Sequence, residues 1–234
     1  DAPHRPGPAA SRGTRPGAAP VFVTRWANAR RPPGSLVASY DGATSTAGRC
    51  TVTDTAADDV AMIAFTSGTT GQPKGAMHTH RDVLACCDCF PKYVLRPSAG
   101  DVFCGSPPLA FTFGLSGLML FPLRAGAATL LLEQPTPPNL LAAIQEHRAT
   151  VCFTAPIAYR AMAEQAKDYD LASLRKCVSA GETLPLPTFE AFREATGISI
   201  IDGIGSTEML HIFIASPEEE IRTGSTARGV AGYR

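Results

Sequence analysis

The residues best suited to chemistry form one glycine-rich stretch that directly follows an apolar run. It combines hydroxyl donors, small residues and one ammonium group: Thr66, Ser67, Gly68, Thr69, Thr70, Gly71 and Lys74. Glycine lets a backbone approach an anion closely, while hydroxyl, backbone N–H and ammonium groups supply donors to it. The stretch lacks the Gly-Lys-Ser/Thr ending of a Walker A motif. It therefore predicts a phosphate-binding loop of another type, with a flexible surface loop as the alternative.

A second candidate site is the run from Ile201 to Glu208, where a strand-like pattern leads into a glycine-containing turn. The hydroxyl of Thr207 can donate to a phosphate oxygen, and the carboxylate of Glu208 can hold Mg2+ against a triphosphate. The alternative is a purely structural turn. A third run, Ser179 to Pro185, has small residues that let a flat ring approach the backbone, or it is a plain turn between a strand and a helix.

The first two runs together resemble the nucleotide-binding motifs of the adenylate-forming (AMP-binding) acyl-CoA synthetase superfamily. This resemblance implies that ATP activates a carboxylate to an acyl-adenylate, and that the acyl group then passes to a thiol. It implies ATP, Mg2+ and CoA as cofactors, assigns Thr207, Glu208 and Lys74 to catalysis, and makes Glu208 the metal ligand. Ile204 departs from the family's usual tyrosine, which puts adenine stacking at that position in doubt.

By the same resemblance, the nucleotide contacts are Thr66, Ser67, Gly68, Thr69, Thr70, Gly71, Lys74, Ala180, Gly181, Glu182, Asp202, Gly203, Ile204 and Thr207. The runs 202–213 and 107–115 look like the benzoate-CoA ligase group, including 2-aminobenzoate-CoA ligases, in which isoleucine at position 204 is normal. This implies an aryl pocket formed by Phe111, Thr112, Phe113, Gly114, Gly205, His211 and Ile212. Apolar and aromatic walls suit a planar aromatic acid. The alternative is that Phe111 and Phe113 are core residues and that His211 is a satisfied histidine.

The amino-acid composition limits the kinds of molecule that this chain is expected to bind. The chain has 234 residues, balanced formal charge, 44% hydrophobic and 18% charged residues, which is typical of a soluble globular protein. Nucleic-acid partners are not expected without clustered Lys and Arg, and no apolar run is long enough to span a membrane.

Seven cysteines, an odd number, favour a reducing cytoplasm. Zinc binding by Cys86, Cys87 and Cys89 near two histidines is an alternative to buried thiols.

The elements that must position these residues follow an α/β pattern from Thr51 onward. Strands are predicted at Val60–Phe65 (a buried type), Val102–Gly105, Ala128–Leu132, Val151–Thr154, Cys177–Ser179 and Ile198–Asp202. Thr79 is expected to cap a helix over His80–Val94 that is strained or ended near Pro91. The predicted fold is a mainly parallel sheet covered by helices, a partial large domain of an adenylate-forming enzyme, with ligand loops at the carboxyl ends of strands.

The chain divides into two parts near residue 50. Residues 1–50 are rich in Pro, Gly and Arg and are expected to lack packed structure, as a linker, a frame artefact or a basic interaction tail. The resemblance implies that residues 51–234 are a partial AMP-binding domain. The family's ribose-binding aspartate, hinge and C-terminal domain with its catalytic lysine are not recognised, so we expect the polypeptide alone to be inactive or nearly so. A carrier-protein-loading adenylation domain and a non-catalytic truncated protein remain alternatives.

Overall fold

The centre of the protein is a seven-stranded mixed sheet. The computed structural model describes residues 22–24, 54–66, 71–222 and 227–233. Its strands are β1 (Phe22–Thr24), β2 (Val60–Thr66), β3 (Lys74–Thr79), β4 (Val102–Gly105), β5 (Ala128–Leu131), β6 (Val151–Thr154), β7 (Lys176–Ala180), β8 (Ile200–Gly205) and β9 (Ile212–Ala215). The order in the large sheet is β1-β5-β4-β6-β7-β8-β9, and only β8 and β9 pair antiparallel. The prediction of a mainly parallel α/β sheet is confirmed.

Helices cover both faces of this sheet. They are α1 (His80–Phe90), α2 (Thr112–Leu115), α3 (Phe121–Ala125), α4 (Pro137–His147), α5 (Pro156–Gln165) and α6 (Leu186–Thr196). A π-helical turn, Pro91–Leu95, extends α1, and another, Ser116–Leu120, joins α2 to α3. Short 3-10 turns lie at Ala166–Asp168 and Glu218–Glu220.

The core has two halves because successive strand residues point to opposite faces of the sheet. On one face, Phe103 and Phe153 pack with Phe90 of α1 and Phe121 of α3. On the other face, three cysteines of β4, β6 and β7 pack against helices α4, α5 and α6. The strand residues are Cys104, Cys152 and Cys177, and the helix residues include Leu140, Ile144, Tyr159 and Phe192. The loops at the carboxyl ends of the strands are therefore held by a sheet that is buried on both sides.

Helix α1 begins as its sequence predicts. The side chain of Thr79 accepts a hydrogen bond from the N–H of Asp82 at 3.3 Å, and the N–H of Thr79 donates to the Asp82 carboxylate at 2.8 Å. This reciprocal pair satisfies two donors that a helix start otherwise leaves free. Regular α-helix ends at Phe90, and the π turn begins at Pro91, which has no N–H to donate.

The prediction that Val60–Phe65 is a buried strand is wrong. These residues lie in β2, which pairs only with β3 in a separate antiparallel hairpin. Alternate side chains of β2 face outward, so Ile63 is 52% exposed and Phe65 is 73% exposed. An apolar run indicates a strand, but burial depends on whether a second layer covers it.

Most of the 1–50 segment lies outside the described residues, so its predicted lack of packed structure stays a prediction there. The three residues of β1 are different, because they pair in parallel with β5. Phe22, Val23 and Thr24 are all strand-forming residue types. In the parts of the chain that the structure describes, no helix has both the length and the apolar character needed to cross a bilayer.

Candidate active site

A cavity of about 360 Å3 opens at the carboxyl-terminal edge of the large sheet. Its walls come from β2, from the loops after β4 and β7, and from the connection between β8 and β9. The lining residues are Ala64, Phe65, Pro107, Pro108, Ala110, Phe111, Thr112, Phe113, Ala180, Gly181, Gly205, Ser206, Thr207, His211 and Ile212. Ligands of open α/β sheets bind at this edge, as the sequence predicts here.

The aromatic wall is held by close backbone packing after β4. Phe113 and Gly114 lie in α2, and a methyl group on Gly114 would sit 2.2 Å from the carbonyl oxygen of Pro108. Only glycine therefore lets α2 approach the Pro107–Pro108 segment this closely. Gly114 does not line the cavity itself; it supports the wall to which Phe111, Thr112 and Phe113 belong.

A tight turn between β8 and β9 carries the polar residues of the site. The carbonyl of Thr207 accepts the N–H of Leu210 at 3.2 Å, and the Ser206 hydroxyl accepts the N–H of Met209 at 3.2 Å. Leu210 has a left-handed backbone with φ of 65°, which costs energy for a residue that has a Cβ. The buried hydroxyl of Ser116 donates to the Leu210 carbonyl at 3.3 Å and helps to hold this conformation.

His211 follows that strained residue and is 2% exposed. Its ring lies among four phenylalanines, with centroid distances of 4.6 Å to Phe121, 5.2 Å to Phe90, 5.5 Å to Phe113 and 5.9 Å to Phe153. Neither ring nitrogen meets hydrogen-bonding geometry with any described residue. Burial lowers the pKa of His211 to about 3, although the nearby Phe113 backbone acts in the opposite direction. Burial therefore favours the neutral form of this imidazole at the cavity wall, and the Phe113 backbone is the group nearest to satisfying it.

Two more buried oxygen atoms lack partners on neighbouring strands. Ser179 of β7 and Asp202 of β8 are opposite each other in register, and both Ser179 Oγ and Asp202 Oδ1 are buried without a hydrogen bond from the described residues. Burial raises the pKa of Asp202 to about 6, partly opposed by the backbone of Leu184 and Gly203. Both oxygens can accept hydrogen bonds, but neither residue lines the cavity.

The predicted phosphate loop connects the two strands of the hairpin. Thr66 ends β2, Lys74 begins β3, and the two residues face each other in register. Ser67, Gly68, Thr69 and Thr70 lie outside the described residues. The positively charged group of Lys74 and the carboxylate of Glu208 are exposed, and neither pairs with an opposite charge within the described ranges. Both are therefore available to a charged ligand, in keeping with the chemistry of a phosphate and an oxygen-preferring Mg2+.

The cavity brings together nine of the predicted residues, namely Phe111, Thr112, Phe113, Ala180, Gly181, Gly205, Thr207, His211 and Ile212. Other predicted residues do not line it: Thr66, Gly71, Lys74, Gly114, Glu182, Asp202, Gly203, Ile204 and Glu208. Gly203 is covered by Ile212, whose side chain would lie 2.6 Å from an added methyl group. Ile204 is 46% exposed. Their predicted nucleotide contacts therefore stay predictions.

The six other wall residues were not predicted as site residues: Ala64, Phe65, Pro107, Pro108, Ala110 and Ser206. Ala64 and Phe65 immediately precede the phosphate loop, so their place in the chain was the available signal. For a separate zinc site, the described residues offer no group of three or more ligands that could hold a metal ion. Cys86 and Cys87 are instead buried in α1, where burial raises the pKa of the Cys86 thiol to about 11 and of the Cys87 thiol to about 12.

Comparison with known proteins shows the family to which this chain belongs. Residues 15–234 match the AMP-binding enzyme family. The chain belongs to the AMP-binding enzymes. The match begins upstream of Thr51, so it includes part of the Pro- and Gly-rich segment as well as the motifs that follow.

The chain is similar to AMP-binding ligases of aromatic acids. It is 36% identical over 181 residues to a benzoate–CoA ligase of Thauera aromatica, covering 76% of this chain and 34% of that protein. It is 38% identical over 173 residues to an anthranilate–CoA ligase of Pseudomonas aeruginosa, covering 74% of this chain and 33% of that protein. The crystal structure of the anthranilate CoA ligase AuaEII with anthranoyl-AMP aligns with a TM-score of 0.70 at 37% identity, covering 76% and 35% of the two chains. The chain thus spans about a third of the length of the relatives it matches.

Proposed function

We propose that this chain provides the nucleotide and acid-binding part of an aryl-CoA ligase, which activates a benzoate-type or 2-aminobenzoate-type carboxylate with ATP. The observation that carries the proposal is the cavity at the carboxyl edge of the sheet, where aromatic walls meet the Thr207 turn. The named activities of the similar proteins, benzoate–CoA and anthranilate–CoA ligase, support the same class of acid.

The reaction proposed has two steps. An oxygen of the ionised acid attacks the α-phosphorus of ATP, which forms the acyl-phosphate bond and releases pyrophosphate. The thiolate of CoA then attacks the acyl carbon, which forms the thioester and releases AMP. The acid needs no general base, since it is ionised at neutral pH. Catalysis therefore depends on positioning and on neutralising phosphate charge.

Each residue group has a role in this scheme. The Thr66–Gly75 loop, with Lys74, would hold the outer phosphates, and Thr207 would donate its hydroxyl to the α-phosphate. Glu208 would hold Mg2+, which when bound neutralises charge on the triphosphate. Asp202, whose Oδ1 lacks a partner among the described residues, would accept a donor from the nucleoside.

The aromatic walls support an aromatic acid as the substrate. Phe111, Phe113 and Ile212 present apolar surface to the cavity, and His211 is held neutral there by burial. A flat ring can pack against such walls, whereas an aliphatic acid of similar length would leave part of them uncovered.

Binding of aryl-adenylates tests the proposal. The 234-residue chain is titrated by calorimetry with non-hydrolysable analogues of benzoyl-AMP and 2-aminobenzoyl-AMP, and with a short aliphatic acyl-AMP analogue as control. We expect saturable binding of an aryl analogue at least about tenfold tighter than that of the aliphatic one. Equal affinity for the two would contradict the aryl assignment.

A charge variant separates the metal role from the pocket. Glu208→Gln keeps the size of the side chain but removes its charge. We expect it to weaken binding of ATP in the presence of Mg2+ and to leave binding of the aryl-AMP analogue unchanged, because that analogue lacks the outer phosphates. If ATP binding does not change in this variant, Glu208 is not the metal ligand.

A further inference from the structure

One side chain links the phosphate-loop hairpin directly to the turn that carries Thr207 and Glu208. His78 in β3 is 4% exposed, and its Nε2 lies 2.9 Å from the carbonyl oxygen of Thr207. The same carbonyl accepts the N–H of Leu210 within the turn. Because a carbonyl oxygen can only accept, the proton of the imidazole must be on Nε2.

This link matters because the hairpin is not part of the large sheet. β2 and β3 pair only with each other, and the phosphate loop spans their facing ends, Thr66 and Lys74. The two ends of the loop, Thr66 and Lys74, therefore belong to the hairpin, whereas the Thr207 turn connects β8 and β9 of the large sheet. Backbone N–H groups of His80 and Arg81 tie the base of the hairpin to the segment before β2, through the carbonyls of Asp59 and Ala57. The His78 side chain reaches the turn itself.

We propose that His78 is a positioning residue, which sets the spacing between the phosphate loop and the Thr207–Glu208 turn by donating Nε2–H to the Thr207 carbonyl. The proposal rests on the proposed function, since this spacing has a role only if both segments hold one molecule of Mg-ATP. Groups that contact successive phosphates must be placed together, and misplacement by about 1 Å is enough to impair such a site. His78 would act without contacting the nucleotide.

Three substitutions separate positioning from general stability. His78→Leu removes the donor and keeps an apolar body; His78→Gln places an amide N–H near the position of Nε2; His78→Asn carries the same amide on a shorter side chain. Affinities of the 234-residue chain for Mg-ATP and for AMP are measured by calorimetry. AMP serves as the internal control because it does not extend to the phosphate loop.

We expect His78→Leu and His78→Asn to weaken Mg-ATP binding about tenfold, since the hairpin that carries the loop loses its side-chain hydrogen bond to the Thr207 turn. AMP binding should change less than about twofold, and His78→Gln should bind Mg-ATP within about twofold of the wild-type chain. Equal loss of Mg-ATP and AMP affinity in the Leu variant, or no rescue by Gln, would overturn the proposal.

A measurement without nucleotide tests the hydrogen bond on its own. Nitrogen-15 NMR of the imidazole should show the Nε2–H tautomer, and the Leu210 amide should exchange faster in the Leu variant than in the wild-type and Gln proteins. An Nδ1–H tautomer with unchanged exchange would overturn the link. If the link is present but the wild-type chain binds neither ATP nor an aryl-AMP analogue, the proposed function fails and the positioning role fails with it.

Discussion

At the scale of single residues, the most unusual group in the cavity is His211, a buried imidazole with no hydrogen-bond partner among the described residues. Such a group costs folding energy unless a ligand contacts it. It follows Leu210, whose left-handed backbone also costs energy. Two unfavourable features next to each other at the wall of a cavity are typical of a binding site, where local stability is lower than in the core.

The same residue predicts how stability depends on pH. The pKa of His211 is about 3 in the folded protein, against about 6.5 in an unfolded chain. Below about pH 6.5 the unfolded chain takes up a proton that the folded protein does not, so acid favours unfolding until the folded pKa is reached. Between pH 7 and pH 5 we expect His211 to reduce the free energy of unfolding by about 2 kcal/mol.

Urea unfolding at the two pH values measures this effect. His211→Leu should show a loss on acidification that is smaller by about that amount. Phe90→Leu, which alters the same aromatic cage but keeps the histidine, is the control and should retain the wild-type dependence. Identical pH dependence in wild type and His211→Leu would mean that His211 titrates normally in the folded protein.

At the scale of elements, the starts of three parallel strands are joined by one buried carboxylate. Asp101, 3% exposed, precedes β4; it accepts hydrogen bonds from Thr150 before β6 at 2.7 Å and from Arg175 before β7 at 2.8 Å. The Ser98 N–H and hydroxyl also donate to it. Burial acts to raise the pKa of Asp101, but these donors outweigh it and lower the pKa to about 2.

We expect Asp101→Asn to lower the free energy of unfolding by about 2 kcal/mol at pH 7, a value reduced from that of a fully buried pair because Arg175 is 36% exposed. The contribution is complete above the ordinary pKa of 3.8 and is lost as pH falls through about 2. Asp58→Asn, which breaks the exposed pair with Arg81, is the control and should have little effect. Denaturant unfolding of both variants measures the two changes in the free energy of unfolding. Equal decreases in the two variants would contradict a special role for Asp101.

How much the sequence predicts also differs between elements. Strands β4 and β6 were predicted with their observed ends, because short apolar runs between turn residues are a strong local signal. The Thr79 cap was predicted because capping is local. Strand β3 was not predicted, because Lys74–Thr79 shows no clear alternation and its partner β2 supplies the pairing.

The residues of the candidate site also differ in how far the sequence predicts them. Motifs located Thr207, His211 and the aromatic wall, since each lies in a short run with a distinctive order. Phe65 and the link from His78 to Thr207 arise only when distant segments meet in three dimensions. No local pattern encodes such a contact.

At the scale of the whole molecule, the outer face of the β2–β3 hairpin is an apolar surface. Val60, Ile63 and Met77 are between 52% and 68% exposed, and Phe65, which also borders the cavity, is 73% exposed. A hairpin of two strands is only marginally stable alone, and contiguous apolar surface favours association. We therefore expect the purified 234-residue chain to self-associate through this face in a concentration-dependent way.

Light scattering after size exclusion tests the expectation with a charge-paired variant. Ile63 and Met77 face each other across the hairpin, so Ile63→Glu with Met77→Lys places opposite charges side by side and preserves the strand pairing. This double variant should remain monomeric at concentrations at which the wild-type chain associates. Ile157→Glu is the control, because Ile157 is 74% exposed but lies on α5, away from the hairpin. If it abolishes association as fully as the double variant does, the contact is not specific to the hairpin and general surface hydrophobicity is the cause.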